Sequence, residues 1–250
     1  QEKKRLSKRT RVSLFLLLVA IPLTIAAGFW LTDQSALADW IDRVFGPRKY
    51  YLISLVIVLY ALLPFFMAFE GRKPEVRELV VLATAGRAAF FMTPSFKPII
   101  AIVIISAIAF GAEAGFLVGS MTMLVSNFLF GQGPWTPWQM FSFGIIGFLA
   151  GILYQKGILK ARKRDLCIYG FLSVVLIYGG IMNPASILMS YGYITPASLV
   201  AFYISGIPVD LVHALSTVIF LWFLSRPLLE KLERIKKKYG LIESGKEEML

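Results

Sequence analysis

Long apolar runs recur along the chain at a spacing that suits membrane-crossing helices. Runs at 13–32, 49–69, 139–155, 166–190 and 197–225 come close to or exceed the roughly 20 apolar residues that a spanning helix needs. The stretch 76–130 is apolar almost throughout, with breaks near Thr93 to Pro98 and around Gly111 to Gly115. That pattern predicts three shorter crossings, and eight helices in all. The chain is therefore expected to be an all-α polytopic membrane protein. A basic segment precedes the first of these helices, and a basic tail follows the last. The first run follows Lys3, Lys4, Arg5, Lys8, Arg9 and Arg11, as a secretory leader would. It is longer than a leader's apolar region, and Ala26, Ala27 and Gly28 lead into Phe29 and Trp30, so a retained helix is expected.

Composition agrees: 57% of residues are hydrophobic and only 16% charged, outside the range of a soluble domain. The net charge of +11 would suit a nucleic-acid partner, but the placement of the cations argues against one. Of 26 Lys and Arg, 21 fall before the first helix, at 70–78, at 156–165 and after 225, all on one face of an eight-helix arrangement. This asymmetry predicts that both termini are cytoplasmic. The remaining cations are Arg43, Arg48, Lys49 and Lys97 in the opposite loops, and Arg87 inside a span. After Pro227, Leu228, Leu232 and Ile235 keep one apolar stripe, so the last span is expected to continue along the membrane surface, where anionic lipid favours its lysines.

The opposite loops differ in kind. Thr93 to Pro98, Gly131 to Trp138 and Asn183 to Pro196 each mix Pro and Gly with aromatic or amide side chains. They read either as stiff connections bearing interfacial aromatics or as the rim of a pocket for a bulky, largely neutral ligand. Phe96, Lys97, Gln132, Trp135, Trp138, Asn183, Tyr191 and Tyr193 are the candidate ligand contacts there. Within the spans, Arg87, Asp210 and His213 either line that pocket or, for Arg87 and Asp210, pair across helices. Asn127 serves a ligand or a neighbouring helix, and Glu113 is expected to be solvated in a tight turn.

No engine is visible. The chain has no G-x-x-x-x-G-K-[ST] phosphate cradle and no G-x-S-x-G elbow, and the lone His213 and lone Cys167 give no zinc spacing. No catalytic residue, metal site or intrinsic cofactor is expected. Glycines 111, 115 and 119, and 147 and 151, have the spacing of closely packed helices inside this chain. Ala83, Ala85, Gly86, Ala88 and Ala89 instead leave a smooth helix face suited to a partner's helix.

Several segments resemble one family. They are Ala85-Gly86-Arg87, Pro94-x-Phe96-Lys97-Pro98, Ala101 to Ile104, Gly115 to Gly119 and, above all, Val125-Ser126-Asn127-Phe128-x-Phe130-Gly131-Gln132-Gly133-Pro134-Trp135-Thr136-Pro137-Trp138-Gln139-Met140. Together they resemble the substrate-binding S component of energy-coupling factor (ECF) transporters, most closely the cobalamin-type S components of Gram-positive bacteria. The resemblance implies a six-helix bundle over about 76–225, and so divides the chain into a basic N-terminus with two additional helices over 1–72, a six-helix core over 73–225 and a basic tail over 226–250. It implies capture of a vitamin, cobalamin or a related corrinoid, by a multi-pass protein of the bacterial cell membrane. It also implies a transmembrane T component that meets Ala85 and Ala89, and two partner ATPases. Other ligand classes remain open, namely another vitamin or a nucleobase derivative. Two other classes of protein also remain: a membrane-embedded enzyme working through Arg87, Asp210 and His213, and a self-sufficient secondary transporter.

Overall fold

The computed structural model of the chain describes residues 74–93 and 95–238, together with 43, 44, 46, 52–60 and 62. The expected helix at 13–32, most of that at 49–69 and both termini lie outside the described residues. Residues 52–60 are helical, and Val58 and Leu62 are buried in the same core as the rest of the protein. The described elements are α1 (Pro74–Ala89), α2 (Ile99–Phe110), α3 (Ala112–Phe130), α4 (Thr136–Gln155), α5 (Lys163–Leu172), α6 (Gly179–Tyr191) and α7 (Pro196–Lys238). A π-helical segment, Ser173–Tyr178, joins α5 to α6 into one continuous rod.

Four of these rods, Ala112–Phe130, Thr136–Gln155, Lys163–Tyr191 and Pro196–Lys236, are long and apolar enough to cross a membrane. The protein is thus a multi-pass membrane protein whose described elements are all helical. Helix α2 has 12 residues, about 18 Å at 1.5 Å per residue. Every residue from Ile99 to Ala109 is buried, as expected of a helix that is apolar on all sides. Gly111, at φ 94°, ends α2 and opens α3 within a single residue.

Packing follows the small residues. An apolar side chain gains little by leaving lipid for a protein interior, so close backbone approach does the work. A Cβ on Gly119 would stand 2.5 Å from the Phe143 carbonyl oxygen, and one on Gly147 would collide with the Gly115 carbonyl. Gly151 meets the Ala112 backbone in the same way. Helices α3 and α4 therefore cross backbone to backbone in antiparallel fashion, and these glycines serve the chain's own interior as the spacing predicts. Tyr169 Oη donates to the Ile146 carbonyl at 2.6 Å and fixes the α5 rod against α4.

Three expectations change. Glu113 sits in the first turn of α3 and is only 8% exposed, because the turn itself is confined to Gly111. The connection expected over 183–196 shrinks to Gly192–Thr195, since 183–191 are helical and Pro184 lies inside α6. Trp138 belongs to α4, not to a loop. The continuation of the last span is present: α7 runs through Pro227 to Lys238, with Leu232 buried and Lys236 Nζ 5.2 Å from the Phe110 ring.

Candidate functional site

Two polar groups form inside the bundle. The first is centred on Asn127, which is fully buried near the end of α3. Arg87, in the last turn of α1, donates through Nη1 to Ser126 Oγ at 2.5 Å and to Asn127 Oδ1 at 2.6 Å. Asn127 Nδ2 donates in turn to Thr136 Oγ1 and to Gln139 Oε1, each at 2.9 Å. Thr136 Oγ1 donates to Gln132 Oε1 at 2.8 Å, and Gln132 Nε2 donates to the Leu124 carbonyl at 3.3 Å. An amide with two donors and an acceptor is thus used fully, and it joins α1, α3 and the start of α4. The Arg87 guanidinium lies 5.3 Å from the Phe130 ring centre, and Phe130 stacks on Phe91 at 5.1 Å.

The second group lies between α6 and α7. Asn183 Nδ2 donates to Asp210 Oδ2 at 3.1 Å. Gly179 and Gly206 admit the pair: a Cβ on Gly179 would stand 2.8 Å from Asp210 Oδ2, and one on Gly206 would stand 2.6 Å from Asn183 Oδ1. One turn along α7, His213 is buried against Tyr178 (4.8 Å between ring centres) and Phe143 (5.9 Å). Tyr178 is the last residue of the π segment. Such an extra residue within a helix shifts the side chains that follow it and often marks functional sites.

The connection after α1 folds back between these groups. A Cβ on Gly86 would stand 2.7 Å from Pro98 Cγ, and Phe96 packs edge-on or tilted against Phe90 (5.9 Å) and Phe220 (5.3 Å). Ser216 Oγ donates to the Lys97 carbonyl at 3.2 Å and ties this connection to α7. Lys97 feels the charge of Arg87, and His213 feels that of Lys97. Burial first, and the Arg87 charge second, hold the Lys97 ammonium below the ordinary lysine range.

Arg87, Asn127 and Gln132 thus fall in one network, Asn183 and Asp210 in another, and Lys97, Phe96 and His213 between them. Arg87 and Asp210 form no ion pair: each is held by neutral partners instead. Trp138 is 8% exposed and its Nε1 has no hydrogen-bond partner among the described residues, whereas Trp135 is 40% exposed and covers Gly133. Tyr191 and Tyr193 are exposed at the tip of the α6–α7 hairpin, with Tyr191 against Phe202 at 5.9 Å. Ala85 and Ala89 are exposed on α1. The sequence reading missed Ser126, Thr136, Gln139 and Tyr178. The first three lie inside the distinctive string at 125–140, and the i, i+3 spacing of Thr136 and Gln139 puts them on one face of α4.

Among the described residues, no group of three or more His, Cys, Asp or Glu gathers as a metal site would require. No solved structure matches the chain. A family model described as the S component of the ECF-type riboflavin transporter matches residues 80–230, which takes in both polar groups and all of α2 to α6. That match supports the S-component reading of the sequence but not its cobalamin type. With well over half of its length inside this match, the chain belongs to the ECF-type riboflavin transporter S-component family.

Proposed function

We propose that this chain is the vitamin-capturing subunit of an ECF-type importer and that its ligand is a flavin. The observation that carries the reading is the Arg87–Asn127–Gln139 network beside the Phe91–Phe130 stack, inside a region that matches a riboflavin-type family. Flat aromatic ligands are held by ring faces with a few oriented polar groups, and this end of α1, α3 and α4 supplies both. The ligand enters from the side that carries the 90–98 and 131–135 connections. The clusters at 156–165 and 226–238 face the cytoplasm of a bacterial cell.

In this reading the subunit catalyses no reaction. Energy comes from two ATPase subunits through a transmembrane T component, which docks on the smooth face of α1 at Ala85 and Ala89. The resemblance of residues 125–140 to cobalamin-type S components supports a corrinoid as a second ligand, so cobalamin belongs in any binding test. Purified protein in detergent should quench riboflavin fluorescence saturably with a Kd below 1 μM, the range of a scavenging receptor at about −8 kcal/mol or better. Saturable cobalamin binding without flavin binding would reverse the ligand assignment.

A further inference from the structure

The described residues place more positive charge in this interior than their own acids neutralise. A guanidinium has five N–H donors, and Arg87 commits only Nη1 to the protein, with neutral acceptors. Its Nε and Nη2 make no hydrogen bond among the described residues, and one face of the group rests on Phe130. The Lys97 ammonium likewise makes no hydrogen bond or ion pair among them; only its backbone carbonyl is engaged. The close approach of Gly86 and Pro98 sets the neighbouring Arg87 and Lys97 on the same side of the connection, and Lys97 lies in the field of Arg87. Asp210 is occupied by Asn183 and forms no pair with either cation.

A like charge nearby raises the free energy of a partly buried cation. An anion between them reverses the sign, and the free edge of an arginine fork matches a carboxylate or a phosphate in geometry. We propose that the vitamin carries an acidic group, a phosphate or carboxylate, which Arg87 and Lys97 receive while its ring system lies against the Phe91 and Phe130 aromatics. The proposal rests on the vitamin-binding reading above and departs from the sequence-based expectation of a largely neutral ligand.

The test compares riboflavin with riboflavin 5′-phosphate on the purified full chain, after mass-spectrometric identification of whatever small molecule it carries from its host. The phosphate ester should bind at least tenfold more tightly at pH 7. Lys97→Met should remove that preference, so that the two flavins bind within threefold of each other. Arg87→Gln should also remove it, and because Arg87 joins α1 to α3, the lysine variant is decisive if the arginine variant fails to fold. Equal or tighter binding of riboflavin, or an unchanged preference in Lys97→Met, overturns the proposal. If neither flavin binds, the flavin reading fails on its own, and the extracted ligand decides the charge question. A vitamin bearing a phosphate or carboxylate upholds the proposal; a neutral vitamin, or a phospholipid as the bound anion, overturns it.

Discussion

Asn127 accepts a hydrogen bond from Arg87 at 2.6 Å and returns both of its own donors to α4, so a single amide couples three helices. Replacing it by an apolar residue of similar size removes one of the two acceptors of Arg87, one donor to Thr136 and the donor to the Gln139 side-chain oxygen together. Asn127→Leu should therefore cost about 3 kcal/mol. That corresponds to a fall in Tm of roughly 6–12 °C for a chain of this size, which thermal unfolding in detergent would register. A change below 2 °C would show that the network contributes no net stability.

The Gly-lined crossing of α3 and α4 makes a sharper demand. A side chain at Gly147 has only the Gly115 carbonyl and Val103 to displace, and neither can move without separating the helices. Gly147→Val should reduce the folded yield severely, whereas Gly180→Ala, where a Cβ meets nothing within 4 Å, should be nearly neutral. Size-exclusion profiles of the two variants separate these outcomes.

At the second polar group, Asp210→Leu leaves the Asn183 amide without its acceptor between two helices. The double variant Asp210→Leu with Asn183→Leu should be no less stable than Asp210→Leu alone. The coupling from the full double-mutant cycle should be about 0.5–2 kcal/mol, the range seen for polar pairs between membrane helices. Strict additivity would mean that the 3.1 Å contact carries no energy.

Lys97 has its own signature. Its ammonium is held below the ordinary lysine range by burial and by Arg87, so the folded state disfavours the charged form. The sign follows directly: the cost is fully present below the lowered pKa, and it fades as pH rises from there to the unfolded-state value of about 10.4. Lys97→Met should raise the Tm of the ligand-free protein at pH 7, and that advantage should shrink as the pH approaches 10. A Tm that falls at pH 7 in the variant would contradict the assigned environment.

Ala85 and Ala89 lie exposed on α1 beside Val81, Leu82 and Ala88. Ala85→Trp or Ala89→Trp should leave ligand affinity of the isolated subunit unchanged but abolish co-purification with a T component. Normal assembly would remove this face from the account.

The helices themselves were legible because spanning length and apolar continuity act locally: the breaks at Thr93–Pro98 and Gly111 fall where the chain turns. The end of α6 was less clear: the run at 166–190 covers it, but Asn183-Pro184 carries turn chemistry, and the packing of Ala185 and Ile187 keeps 183–191 helical. Glu113 misled for a similar reason, because the neighbouring glycines suggested a longer turn than the single residue Gly111 provides. The candidate site was half legible. Arg87 and Asn127 stood out as costly groups in apolar surroundings, but their contact across 40 positions, and the separation of Arg87 from Asp210, depend on how α1, α3 and α7 pack. The composition of a helix does not report that packing. The 125–140 string drew attention to the right residues without revealing that Thr136 and Gln139 serve Asn127.

Flavin uptake into proteoliposomes tests whether this chain captures a vitamin but depends on partners to move it. Vesicles holding this chain with a T component and two ATPase subunits should accumulate flavin only when ATP is present on the ATPase side. Vesicles holding the chain alone should bind flavin but accumulate none; accumulation by the chain alone, without ATP or partners, would contradict the account.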